Sequence, residues 1–219
     1  MGPKILYGIL IALGIFIVIT LIRAVFFLPK KRDTKPLEDE HVDVERVAKH
    51  LSGAIQIPTV SYPENEKIDW SQFEKFHKYL EDSYPLIHKT LERENVAEAS
   101  LLYRWKGKNP DLEPIALLSH QDVVPIEPGT EGDWTHEPFS GYNDGEFIWG
   151  RGALDMKNHL ICVMEAVEAL LEEGYEPERD VYLCFGHNEE VVASESAGAK
   201  AIMNTLKSRG IHLDSVIDE

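Results

Sequence analysis

Leu117-Leu-Ser-His-Gln-Asp-Val-Val-Pro125 decides how the rest of this chain is read. Pro114-Ile-Ala-Leu-Leu118 leads into it as a run that is apolar on both faces, the composition of an interior strand covered by helices. His120 and Asp122 stand where that run stops, and open α/β sheets place their working residues at such strand ends. Two residues apart on an extended backbone, their side chains leave on the same face. The carboxylate can then hold the imidazole while the imidazole holds a cation, a relay in which the carboxylate fixes the tautomer and raises ligand basicity. Three acidic echoes, Asp155, the pair Glu189-Glu190, and Glu219, fall where later apolar runs stop.

Downstream, Gly150-Arg-Gly152 permits a tight turn or a close backbone approach, which brings Asp155 beside His120. A helix is predicted from about Lys157 to Glu173, with Leu160, Ile161, Val163, Met164, Val167, Leu170 and Leu171 inward and Gly174 as its stop. Asp155, just before that helix, reads from local pattern alone as an ordinary N-cap. Val181-Tyr-Leu-Cys-Phe185 is a second buried strand, ending in Gly-His-Asn-Glu-Glu190. Adjacent glutamates are usually solvated, but a pair at the end of a buried strand is harder to dismiss. A helix from about Ser196 to Ser208, closed by Gly210, precedes a last strand, His212 to Ile217, that reaches Asp218-Glu219. Consecutive strand residues face opposite ways, so these two carboxylates do not both serve one site.

Upstream, Val44, Val47, Ala48, Leu51 and Ile55 have helical spacing, and Pro58 ends that helix. Phe73, Phe76, Leu80, Tyr84 and Ile87 mark a second amphipathic helix, capped by Asp69 or Ser71 and kinked at Pro85; such a stripe is core packing. Ser61 to Asp69 reads as polar turn, and Ser100 to Trp105 as a strand. Ile5 to Ile22 is uncharged and almost wholly apolar, extends to Leu28 past Arg23, and is closed by Pro29-Lys-Lys-Arg32. That length spans a hydrocarbon layer, with Arg23 snorkelling. A cleaved signal would have a shorter apolar core and a small-residue cleavage site, so a single-pass anchor is the expectation. Residues 1–32 are thus read as anchor and basic flank, 33–38 as linker, and 39–219 as a globular region.

The 219 residues carry 22 basic and 38 acidic side chains, a net charge of -16, and 43% apolar content. Phosphate binding needs basic surface, so a nucleic-acid partner is excluded. Cys162 and Cys184 both lie within apolar patterns and read as buried free thiols.

Three blocks, Ser119 to Pro125, Trp149 to Lys157 and Gly186 to Val191, together with the loop Asp133-Trp-Thr-His-Glu-Pro-Phe-Ser-Gly141, resemble the zinc aminoacylase and carboxypeptidase family. That family includes carboxypeptidase S and the acetylornithine and succinyl-diaminopimelate deacylases, and the match runs over roughly residues 40 to 219. The resemblance implies an α/β fold, the amino-terminal part of a zinc-exopeptidase catalytic domain with a mixed central sheet flanked by helices. It implies two zinc ions, replaceable by cobalt or manganese, bridged by Asp155 and by a water or hydroxide. His120 and Glu219 hold one ion, with Asp122 behind His120 and Asp218 as the fallback for Glu219. Glu190 and a histidine from later in the family's sequences hold the other, and Glu189 is the general base. The other histidines, His77, His88, His136, His159, His187 and His212 among them, match no ligand position.

The substrate implied is a small N-acyl amino acid or short peptide, cut at an amide next to a free carboxylate. Relatives continue past this point into a lid domain that holds the substrate carboxylate and often dimerises, so the expectation is a truncated catalytic domain, inactive alone, whose homodimerisation would need that lid. Val191-Val-Ala-Ser-Glu-Ser-Ala-Gly198 departs from the glycines that relatives carry there. Charge count directs the globular region to the cytoplasm, whereas the carboxypeptidase S-like relatives work on the far side; both orientations stay open. The alternative to a hydrolase is a truncated, non-catalytic, membrane-tethered module that binds a metal ion or a partner.

Overall fold

The computed structural model describes residues 2–27, 42–191 and 198–218. It divides into two units, Met1–Val42 and Asp43–Glu219. In the first, α1 (Gly2–Phe26) is a single helix of 25 residues with no buried side chain. At helical rise it is roughly 38 Å long, more than the hydrocarbon thickness of a bilayer. Among the described residues it is the one helix long and apolar enough to cross a membrane, and those properties suit a signal anchor and a signal sequence alike.

The second unit is built on a five-stranded mixed sheet in the order β1-β2-β6-β3-β7, with β1 Glu92–Val96, β2 Ser100–Trp105, β3 Ile115–His120, β6 Val181–Gly186 and β7 Ser215–Ile217. A separate two-stranded hairpin pairs β4 (Tyr142–Asn143) with β5 (Ile148–Trp149). β1 and β2 pair antiparallel, as do β2 and β6, while β3 runs parallel to both β6 and β7. Alternation sorts the side chains into two cores. Leu101, Tyr103, Trp105, Leu183 and Phe185 face helices α2 (Val44–Ile55), α3 (Trp70–Ser83), α4 (Pro85–Thr90) and α5 (Lys157–Glu172). Leu102, Ala116, Tyr182 and Cys184 face α6 (Gly198–Ser208). Each fully buried aliphatic or phenyl side chain contributes about 1.5–3 kcal/mol.

The chain goes from β3 through α5 to β6, then through α6 on the other face to β7, which lies on the opposite side of β3. The carboxyl ends of β3 and β6 therefore open together at a point where the connections diverge, the usual site of an active crevice.

Several expectations are corrected. The stripe from Phe73 to Ile87 is two helices rather than one kinked helix: Asp69 caps α3 by accepting from Ser71 N at 3.1 Å, and Pro85 starts α4 at its first position. Pro85 has no amide to continue α3 but suits a first turn. The last strand covers only Ser215–Ile217, because β7 pairs with β3 over just Ile115–Leu117. Cys184 is buried but Cys162 is exposed, on the outer side of α5. Glu165 and Glu168, on the same helix, are buried instead. The 33–38 linker, and the departure from the family pattern at 192–197, lie outside the described residues.

Candidate metal centre

The site begins with register. Parallel pairing sets His120 opposite Gly186, and Gln121 N donates to Gly186 O at 2.8 Å, so the segments leaving the two strands emerge side by side. The Gln121 side chain fastens the seam: Nε2 donates to Ala99 O and Phe185 O, both at 2.9 Å, and Oε1 accepts from His77 Nε2 at 2.8 Å. Burial, partly offset by that hydrogen bond, depresses the His77 imidazole to about 4, so it stays neutral.

After His120 the chain leaves the sheet and is gripped by an earlier segment. Val123 bridges Val60, Val123 N donates to Thr59 O at 3.0 Å, Ser61 N donates to Val123 O at 3.1 Å, and Thr59 Oγ1 donates to Gln121 O at 2.6 Å. Asp122 is fully buried. Its Oδ2 accepts from Ser61 Oγ at 2.7 Å and Glu190 N at 3.1 Å; its Oδ1 accepts from Glu189 N at 3.0 Å. Desolvation opposes its charge, yet the hydrogen bonds from His120 and Ser61 and the field of the ring hold it below the ordinary carboxylate range.

His120 Nδ1 donates to the main-chain oxygen of Asp122 at 2.9 Å, with Asp122 Oδ1 3.5 Å away. The strand ends at His120, so Asp122 meets the ring through backbone as much as through carboxylate. That leaves Nε2 directed outward, 3.1 Å from Asp155 Oδ1 and 3.8 Å from Glu189 Oε2. Burial works against a charged ring here, but Asp122 and Asp155 outweigh it and raise His120 to about 9.

Asp155 arrives on a turn whose glycines have no room for a side chain. Gly150 (φ 149°) would place a Cβ 2.5 Å from Ile55 Cγ2, and Gly152 (φ 81°) would place one 2.6 Å from Val123 Cγ1. Asp155 does not cap α5; the cap position is Met156, and no side chain bonds there. The Asp155-Met156 peptide is cis. Lys157 is fully buried, with Nζ donating to Ala54 O at 2.9 Å and Ile57 O at 2.6 Å at the end of α2. Burial, against the pull of Asp122, brings its amine down to about 7.

His120, Asp155 and Glu190 can offer ligand atoms that all lie within 4.8 Å of one another. Desolvation, followed by the charge of Asp155, raises the Glu190 carboxyl, as expected for acids crowded where a cation belongs. One imidazole nitrogen and two carboxylates, with the imidazole's other nitrogen tied down, is a donor set that fits zinc. Glu189 adjoins the group with half of its side chain exposed. Glu219 lies outside the described residues. His187 is buried, with Nδ1 2.7 Å from Ser100 Oγ, and its ring points into the aromatic pair Trp70 and Phe73 rather than to the site. Sequence reasoning missed Ser61, Gln121 and Lys157. Gln121 and Lys157 lie inside the motif blocks, whereas Ser61 sits in a stretch that reads as turn.

A mixed sheet with a His/Asp/Glu group at adjoining parallel strand ends is the catalytic-domain architecture of a class of metallopeptidases. Residues 116–219 match peptidase family M20/M25/M40. Carboxypeptidase S of Saccharomyces cerevisiae is 43% identical over 180 residues, 77% of this chain and 31% of that protein. The N-fatty-acyl-amino acid synthase/hydrolase PM20D1 of Mus musculus is 38% identical over 194 residues, 87% of this chain and 37% of that protein. The M20 family metallo-carboxypeptidase Sso-CP2 from Sulfolobus solfataricus superimposes with a TM-score of 0.61 at 21% identity, over 79% of this chain and 37% of that one, a likeness of fold. The chain belongs to the M20 peptidase family, and it spans about a third of the length of the curated relatives it matches.

Proposed function

We propose that these residues serve a membrane-anchored dinuclear zinc hydrolase that cleaves an amide bond next to a free carboxylate, in N-acyl amino acids or short peptides. The observation that carries this reading is the convergence of His120, Asp155 and Glu190 at the joined ends of β3 and β6, with Asp122 behind His120. The names of the relatives, a carboxypeptidase and an N-fatty-acyl-amino acid synthase/hydrolase, support the substrate class. The apolar helix α1 supports an anchor.

In this reading His120, Asp155 and Glu219 would hold one ion, and Asp155 and Glu190, with a histidine from later in the family's sequences, would hold the second. When bound, the ions supply Lewis acidity and bring water to a usable pKa at neutral pH. Glu189, beside the group and half exposed, takes the proton from water and returns it to the leaving amine. Asp122 keeps the His120 ring in the tautomer that presents Nε2.

The test measures bound zinc in this chain, and hydrolysis of N-acyl amino acids and dipeptides by the protein that the natural reading frame encodes. Glu189→Ala is expected to keep the metal and to lose turnover by about 10²–10⁴-fold, whereas His120→Ala loses metal. A chain that takes up no divalent ion, or a Glu189→Ala variant with normal turnover, would sink the proposal.

A further inference from the structure

Which group fixes the Asp122 carboxylate? Among the described residues three donors reach it besides the His120 ring, and two of them, the amides of Glu189 and Glu190, belong to the very segment that the carboxylate has to place. The third is the Ser61 hydroxyl, 61 positions earlier in the chain and fully buried, at 2.7 Å from Oδ2. Ser61 is itself immobilised from both sides of the site. Its amide donates to Val123 O at 3.1 Å, the preceding Val60 bridges Val123, and Thr59 ties to Gln121 O at 2.6 Å. Further back, Ile57 O is held at 2.6 Å by Lys157 Nζ, at the start of α5 just past Asp155.

The segment from Ile57 to Ser61 thus spans the two stretches that deliver His120 and Asp155, and Ser61 is its one side chain on the relay. A carboxylate held only by groups that it positions can turn together with them. A donor fastened elsewhere removes that freedom. Because Ser61 and the Glu190 amide share Oδ2, Oδ1 is left to the Glu189 amide and the side of the His120 ring.

We propose that Ser61 is a positioning residue, whose buried hydroxyl sets the rotamer of Asp122 and thereby aligns the His120 ring and the Glu189-Glu190 backbone on one ion. This rests on the proposed metal site. Its chemical logic is that of outer partners of a metal ligand, whose loss weakens metal affinity by about 10–100-fold.

The experiment compares Ser61→Thr with Ser61→Val in this 219-residue chain. The two side chains have nearly the same shape, and only threonine keeps the hydroxyl. Ser61→Ala, smaller than the native residue, replaces the pair if the larger side chains do not fold by near-ultraviolet circular dichroism, and is then read against the native chain. Without metal, amide hydrogen exchange at Glu189 and Glu190 is expected to speed up about tenfold or more in Ser61→Val relative to Ser61→Thr, while Val181 to Phe185 stay protected; a general loss of stability would move both. In a titration with Co2+ followed by its visible absorption, Ser61→Val is expected to bind about 10–100-fold more weakly than Ser61→Thr. Equal exchange and equal Co2+ affinity in the two variants overturn the proposal. Wild-type chain that takes up no Co2+, or takes it up as well after His120→Ala, overturns the metal reading instead, and the metal-free exchange still decides the role of Ser61.

Discussion

Two buried carboxylates in this chain accept hydrogen bonds beside a histidine, and they have opposite fates. Glu165, on α5, accepts from Arg46 Nε at 2.8 Å and Tyr84 Oη at 3.1 Å and touches His50 Nδ1. Arg46 continues to Glu172 at 2.9 Å, so the cluster binds α2 to α5 and to the junction of α3 and α4. Among the described residues the Asp122 carboxylate meets no guanidinium or ammonium: besides the His120 ring, it accepts from a hydroxyl and two amides. A guanidinium neutralises Glu165 and closes the cluster. Neutral donors leave the charge of Asp122 to act on the imidazole, and through it on whatever Nε2 holds. Exposure follows the same division: Glu165 is surrounded by helices, while beyond His120 lie Asp155 and Glu189, whose side chains are 65% and 51% exposed.

The comparison breaks most easily at Glu165. Glu165→Ala leaves the Tyr84 hydroxyl buried without its acceptor and Arg46 without its buried partner, an expected loss of about 4 kcal/mol in urea denaturation. Co2+ affinity should stay within about twofold if the cluster only holds helices together, and a drop as large as at the site would erase the distinction between the two carboxylates. Next in size is a pH effect in the layer under Asp122. The folded state holds His77 at about 4, whereas the unfolded chain takes its proton near 6.5. The unfolded state therefore binds more protons between these values, and stability that is complete above 6.5 declines as pH falls toward 4, by about 3 kcal/mol in all. Arg93 and the His187 ring both disfavour the proton further. Wild type minus His77→Gln, followed by denaturation across that window, isolates the slope; parallel curves would show that His77 is not held neutral. The smallest effect is the one aimed at function. Asp122→Asn should weaken Co2+ binding by about 10–100-fold, roughly 1.4–2.7 kcal/mol, and unchanged affinity would move Asp122 into the same class as Glu165.

The contrast also marks what the sequence could reveal. β3 and β6 are continuous apolar runs that stop at polar residues, so their burial, and the acids beyond them, were legible from pattern. Glu165, Glu168 and Lys157 were not, because a charged residue in a helix reads as solvent face until its partners from other elements are known. Glu168 accepts the amides of Leu86 and Ile87, both at 2.9 Å, at a helix start that only tertiary packing brings near. β1, written Glu92-Arg-Glu-Asn-Val96, is an edge strand with little apolar signal. Ser61 carries no periodicity at all. Its importance comes from a contact across 61 positions, to which a local reading is blind.

Lys157 has one more consequence, for the protein chemist. Its amine is sealed between α2 and α5 with two carbonyls and the face of Phe76 around it. An acylating reagent meets that nucleophile only when the seal parts, so acyl groups on Lys157 accumulate as a tally of how often the native shell opens.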